Sequence, residues 1–207
     1  MQEFRDQTLL DVPCGLQQIR EDLSLNFLSC AGRVGLNQEK KCLDGTRTQI
    51  LNEVVDWMNN TDDSTPRIFW LHGQAGKGKS AIAHTIALQA KNLGMLGSCF
   101  CFTRVRQHEG LHTKLFPTIA RGLADRDLRL RPLLANVVNN DHSLMDTADI
   151  TEQWEKLIVE PLACVEASST GNVVVVIDAL DESGAEGTRA RILVALAENF
   201  RETFGSS

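Results

Sequence analysis

Gly73-Gln74-Ala75-Gly76-Lys77-Gly78-Lys79-Ser80 is the stretch that decides how this chain is read. Its fixed positions, Gly73, Gly78, Lys79 and Ser80, have the spacing of a phosphate-binding loop. Glycines let the backbone curl until successive N–H groups point at one anion. A helix starting near Lys79 would add the positive end of its dipole. The Lys79 ammonium would face the β- and γ-phosphates of a nucleotide, and the Ser80 hydroxyl is a hard oxygen ligand suited to Mg²⁺. Gln74, Ala75, Gly76 and Lys77 would contribute backbone N–H groups to the cradle. Lys77 occupies a variable position and reads as a solvated loop lysine.

Such a loop needs a strand before it and a helix after it. Arg67-Ile68-Phe69-Trp70-Leu71-His72 is β-branched and aromatic and predicts a buried strand. Lys79 to Asn92 predicts the helix. Further on, Leu96 to Phe102 predicts a second strand, and Val173-Val174-Val175-Val176-Ile177 a third. The valine run is apolar on both faces, as a parallel strand covered by helices on both sides would be. It delivers Asp178 to its C-terminal end, where ligands of open α/β sheets bind. There Asp178 can hold Mg²⁺ directly or through water. Either Asp181 or Glu182 could orient or deprotonate an attacking water, the other being a solvated loop acid.

The remaining segments predict helices. Leu16, Ile19, Leu23 and Phe27 form one apolar stripe between the breakers Pro13, Gly15 and Gly32. Residues 31–44 read as a polar linker, dividing an N-terminal helical segment, 1–30, from a main domain, 31–207. Ile50, Leu51, Val54, Val55 and Met58 predict a helix over Thr46–Asn59, with Thr46 as its N-cap. Leu115, Phe116, Ile119 and Leu123 mark another that tolerates Pro117 in its first turn. Helices are also predicted over 127–138, 150–165 and 188–200, the last turning Ile192, Leu193, Leu196 and Phe200 inward. Strands alternating with helices point to a parallel α/β sheet.

Composition narrows the function. The 207 residues are 43% hydrophobic and 23% charged, with net charge -6, an ordinary globular balance. An acidic surface repels a phosphate backbone, so nucleic acid is not an expected partner. No run of 18 or more apolar residues predicts a membrane span, and the charged start lacks a signal core. Cys14, Cys30, Cys42, Cys99, Cys101 and Cys164 show no paired zinc spacing and read as buried, reduced thiols of a cytoplasmic protein. Cys99 and Cys101 fall on one face of the predicted strand. His72 reads as a strand-end residue and His84 as structural or exposed. His108 and His112 make a poor metal pair, and Arg104 and Arg106 read as solvated loop arginines.

Several further stretches resemble one family. They are Cys42-Leu43-Asp44-Gly45-Thr46-Arg47 before a helix carrying Asp56-Trp57, Ile68-Phe69-Trp70-Leu71-His72-Gly73 leading into the loop, Leu115-Phe116-Pro117-Thr118-Ile119-Ala120, Leu157-Ile158-Val159-Glu160-Pro161-Leu162, and above all Asp178-Ala179-Leu180-Asp181-Glu182. Together they resemble the NACHT class of STAND P-loop NTPases, in its fungal, NLR-like and nephrocystin-like branch, over about Ala31 to Phe200.

The resemblance implies a three-layer P-loop fold, a parallel sheet flanked by helices. It further implies ATP or ADP with Mg²⁺ as ligands, residues 42–47 near the adenine, and a signalling switch that oligomerises with other NACHT proteins. Members of the family continue into another strand that ends in a Ser/Thr-Arg pair and lies between the strands bearing the two motifs. This sequence stops at Phe204-Gly205-Ser206-Ser207, so the expected sheet is C-terminally truncated and incomplete. Two functional readings follow: a Mg-dependent nucleotide-binding module with weak or absent hydrolysis, and a non-catalytic interaction module joining full-length relatives.

Overall fold

Val174 to Asp178 form a strand because β-branched side chains fit a pleated, covered surface, and its only sheet partner among the described residues is Leu96–Cys101. The computed structural model describes residues 15–28, 35–62, 64–104, 110–165 and 172–204, the side chains of 198–204 excepted. Its elements in chain order are α1 (15–25), α2 (Thr48–Asn59), α3 (Lys79–Asn92), β1 (Leu96–Cys101), α4 (Leu115–Arg126), α5 (Leu130–Asn140), α6 (Ile150–Trp154), α7 (Glu160–Ala163), β2 (Val174–Asp178) and α8 (Glu186–Phe204). β1 and β2 run parallel, with Phe100 opposite Ile177 and Cys101 opposite Asp178. Over the described residues the chain is therefore a mixed α/β protein, mostly helical, with a two-stranded parallel sheet.

The main core lies where α4 crosses β1. Phe100, Phe116, Ile119, Trp154 and Leu157 are buried there together, and the Phe116 and Trp154 rings meet at 5.0 Å. Two glycines permit this approach. A Cβ on Gly122 of α4 would stand 2.3 Å from the Gly97 carbonyl of β1, and one on Gly97 would stand 2.6 Å from Val173 Cγ1. A smaller cluster joins α2 to α3 through Val54, Met58, Ile82, Ile86 and Ala90.

Several expectations need correction. The segment Arg67–His72 is not a strand. Phe69 and Leu71 turn partly inward while Ile68 and Trp70 point outward, 41% and 56% exposed. Alternation suits a strand, but pairing also needs a neighbour at hydrogen-bonding distance, and none of the described segments supplies one.

The apolar stripe predicted on α1 and the turn after it faces outward: Leu16, Ile19, Leu23 and Phe27 are between 57% and 63% exposed, while Leu25 and Leu28 are buried. The helix is held by its C-terminal end, where Ser24 Oγ lies 2.9 Å from Asn139 Oδ1 and Arg131 pairs with Asp22. Docking at that end decides which face is covered. Thr46 does not cap α2. Its hydroxyl donates to the Leu43 carbonyl at 2.6 Å, and Arg47, left-handed at φ 58°, occupies the cap.

The helix predicted over 127–138 starts three residues late, because Asp127 instead accepts from the Arg129 N–H at 3.0 Å and forms a turn. The one predicted over 150–165 is broken into α6 and α7 by a π-helical stretch, Glu155–Val159. Pro161 has no N–H for the Leu157 carbonyl and its ring crowds it, so the ladder widens there. α8 begins two residues before the predicted Thr188.

Asn172 fastens the start of β2 to the end of α2. Its Nδ2 donates to the carbonyls of Met58 at 2.8 Å and Asn60 at 3.0 Å, filling acceptors that a helix C-terminus leaves open. Among the described residues, no helix is long and apolar enough to cross a membrane.

Candidate functional site

The glycine-rich loop leaves the extended segment at Gly73 and ends at the first turn of α3. Gly76 and Gly78 hold φ of 76° and 86°, the left-handed region that a side chain disfavours. Gly78 is the residue preceding the helix, and its carbonyl accepts from the Ile82 N–H at 3.0 Å. No side chain caps α3, so the N–H groups of its first turn keep no side-chain acceptor.

Lys79 folds back across the loop. Its Nζ donates to the carbonyls of Gly73 at 2.7 Å and Gln74 at 3.1 Å. Ser80 projects toward β2, and its Oγ donates to Asp178 Oδ1 at 3.1 Å. Asp178 is buried, and the same oxygen accepts from the Ala179 N–H at 2.9 Å. Two parts of the sequence 98 residues apart thus place a hydroxyl and a carboxylate side by side. Both are hard oxygen donors of the kind Mg²⁺ takes.

Beyond β2 the chain turns sharply at Ala179, whose φ is 55°, into a short 3-10 turn, Leu180–Glu182. The two acids there differ. Glu182 accepts from the Arg104 N–H at 2.9 Å and pairs with the Arg104 guanidinium at 3.3 Å. Asp181 is exposed and makes no hydrogen bond or ion pair among the described residues. Gly73, Lys79, Ser80, Asp178, Asp181 and Glu182 all line one cleft of about 1810 Å³. Gln74 and Lys77 lie outside its lining, exposed on the loop's outer turn.

Arg104 is exposed, as a solvated loop arginine would be, and it also pairs with Glu182. Arg106 and His108, with Cys14 and Cys30, lie outside the described residues. Arg47, the last residue of the segment 42–47 that the resemblance places near the adenine, has its guanidinium 3.3 Å from where a Cβ on Gly78 would stand. Its contact with that particular glycine carries no local signal in the sequence.

His84 is buried, not exposed, and sits beside Cys101 and the half-buried Cys99. Cys164 is exposed, against the expectation of a buried thiol. The three side chains His84, Cys99 and Cys101 offer soft donor atoms within 4.8 Å of one another, but the histidine tautomer argues against a metal. Its Nδ1 accepts from the Asn37 N–H at 3.2 Å, so Nε2 carries the proton and points at Cys101 Sγ, 3.8 Å away. A ligating Nε2 would need its lone pair free and its Nδ1–H facing an acceptor. Burial lowers the His84 pKa and keeps the ring neutral, and the Cys99 thiol, hydrogen-bonded to Cys101, is pushed up.

A family model described as Nephrocystin 3, N-terminal matches residues 45–205, most of the chain. No curated protein and no solved structure matches it. The matched stretch begins just before α2 and takes in the loop, both strands and α8, so the chain belongs to that family.

Proposed function

We propose that this member of the Nephrocystin 3 N-terminal family is a nucleotide-binding module: a P-loop domain of NACHT type that holds ATP or ADP with Mg²⁺ and hydrolyses it slowly or not at all. One observation carries the reading. Ser80 Oγ stands 3.1 Å from Asp178 Oδ1, at the mouth of a glycine loop whose helix N-terminus has no side-chain cap. The loop and that helix end would take the phosphates, Ser80 and Asp178 the cation, and Lys79 would exchange two carbonyls for phosphate oxygens.

Slow turnover follows from the acids. Glu182 is held by Arg104, which leaves Asp181 to order a water from an exposed turn. A water-excluded, closed arrangement of charge around a γ-phosphate is what speeds such chemistry. The interaction-module reading is favoured by a different feature: among the described residues β2 is paired along one edge only.

The test is a titration with fluorescent ADP and ATP, with and without Mg²⁺, beside Lys79→Ala. Saturable, Mg-dependent binding is expected. It should weaken roughly 10- to 100-fold in the variant, the scale of losing charge-assisted hydrogen bonds. A folded chain that binds neither nucleotide, or binds both equally well without Lys79, would sink the proposal.

A further inference from the structure

Successive side chains of β1 point to opposite faces of the sheet. Phe100 enters the sealed core, whereas Cys99 and Cys101 share the other face with His84 of α3. The two sulfurs and a ring nitrogen of His84 lie within 4.8 Å of one another. Cys101 is buried, and Cys99 beside it is half-buried. Among the described residues no other cysteine belongs to such a cluster.

The tautomer that makes His84 a poor ligand suits it to another task. The Asn37 N–H, 3.2 Å from Nδ1, fixes the ring, and the Nε2–H is aimed at Cys101 Sγ, 3.8 Å away. An N–H directed at a sulfur stabilises the anionic form through which a cysteine attacks. Cys99 stands next to that sulfur as a second thiol. A cysteine held by an N–H donor and flanked by a resolving thiol is the arrangement that oxidants select.

We propose that Cys101 and Cys99 are a thiol pair that hydrogen peroxide oxidises to a reversible disulfide, with His84 as its positioning residue. Cys101 Sγ attacks one oxygen of the peroxide and the O–O bond breaks. The departing hydroxide takes the thiol proton and leaves as water, and Cys101 becomes a sulfenic acid. Cys99 Sγ then attacks the Cys101 sulfur and the S–O bond breaks. Hydroxide leaves with the Cys99 proton as a second water. The two thiols lose two electrons, and one peroxide becomes two waters.

Such a bridge is one that a reductant can undo. Residues two apart on a strand have Cα atoms about 6.6 Å apart, close to the upper limit of about 6.8 Å for a disulfide. β1 must contract at Phe100 to close it, and Phe100 is fully buried. A bridge closed against that resistance yields readily to thiols. The contraction also pulls on the Phe102 N–H, which donates to the Asp178 carbonyl at 3.0 Å. The inference rests on the thiols and the imidazole and stands apart from the nucleotide reading.

The experiment treats the whole chain, without nucleotide, with hydrogen peroxide. Remaining thiols are alkylated after denaturation and the chain is digested with trypsin. Residues 92–104 are released as one peptide holding Cys99 and Cys101 and no other cysteine. That peptide should lose two hydrogens and escape alkylation, at least about tenfold faster than the exposed Cys164 is oxidised. Reduced glutathione should restore both thiols. Cys99→Ser should stop at the Cys101 sulfenic acid, trapped by a cyclic diketone. His84→Leu should slow oxidation of the pair roughly tenfold, the scale of one N–H bond to a charged group, and leave the rate at Cys164 unchanged.

If His84→Leu fails to fold, the order of oxidation in the unaltered chain and in Cys99→Ser decides. Oxidation of Cys164 ahead of the pair would overturn the inference, since exposure alone would then set reactivity. Sulfinic or sulfonic acid on the 92–104 peptide without a bridge would overturn it as well. An unchanged rate in folded His84→Leu would overturn the role given to the imidazole. Because no nucleotide is present, none of these failures touches the phosphate site.

Discussion

The packing around Phe116 and the packing around Ile82 start from similar side chains and end differently. Around Phe116, α4 lies on β1 closely enough that only glycine fits at 122, and the rings of Phe100, Phe116 and Trp154 are sealed. Around Ile82, α2 and α3 meet through Val54, Met58 and Ile86. Their neighbours Phe69, Leu71 and Trp57 are only partly covered, because the extended segment above them joins no sheet among the described residues. A helix needs one partner to bury a stripe, but a strand needs a neighbour on each edge as well as a cover. The half that carries the glycine loop is thus the half left open, and stability and ligand access are divided between the two regions.

That division can be broken most forcefully at Phe116. Phe116→Ala should lower unfolding free energy by about 3–5 kcal/mol in a denaturant titration. A loss under 1 kcal/mol would mean the sealed half does not carry the fold.

Gly122→Ala comes next. The added methyl meets the Gly97 carbonyl, and about 1–3 kcal/mol of destabilisation is expected. Gly187→Ala in α8, where nothing lies within 4 Å, should be neutral or slightly stabilising in the same assay. Equal effects at the two glycines would remove the case for close approach.

His84 sharpens the comparison through pH. Its folded pKa lies below the ordinary 6.5, mainly through burial, so the unfolded chain binds more protons once pH falls to that value. Stability should be full above about 6.5 and decline as pH drops from there toward the lower folded pKa. His84→Gln should flatten that slope in melts run from neutral to mildly acidic pH.

The smallest effect belongs to the open half. Trp70→Ser should change stability by no more than about 0.5 kcal/mol, because the ring is more than half exposed. A loss comparable to that of Phe116→Ala would show that the segment is covered in solution.

Much of this was legible in the sequence, for reasons that differ by residue. The strand within the run Val173–Ile177, realised as Val174–Asp178, and the helix after the glycine-rich loop were both announced by local signals, although the expected cover on both faces of the strand is incomplete at Val175, 38% exposed. The adjacency of Ser80 and Asp178 could be expected from the strand that ends at Asp178. The orientation of α1 could not. A stripe of Leu16, Ile19, Leu23 and Phe27 defines a face but not what covers it, and here the end of the helix docked instead. Nor could Arg67–His72 be settled, since a run able to form a strand becomes one only when a distant segment pairs with it. The burial of His84 and the grip of Arg104 on Glu182 are likewise long-range contacts that no spacing announces.

The two bonds of Asn172 take on a mechanical meaning once the open edge is considered. At one end of the cleft this amide ties β2 to the last turn of α2, and at the other the Ser80 hydroxyl ties α3 to Asp178. Between those anchors no backbone bond joins β2 to that flank among the described residues, and the apolar contacts of Val174 and Val176 with the cluster of Ile82 and Ile86 carry what lies between. The flank bearing the loop behaves as a beam pinned at two points and cushioned along its span. How far its middle bows is set by the length of the span, and cutting one pin would turn the bow into a swing.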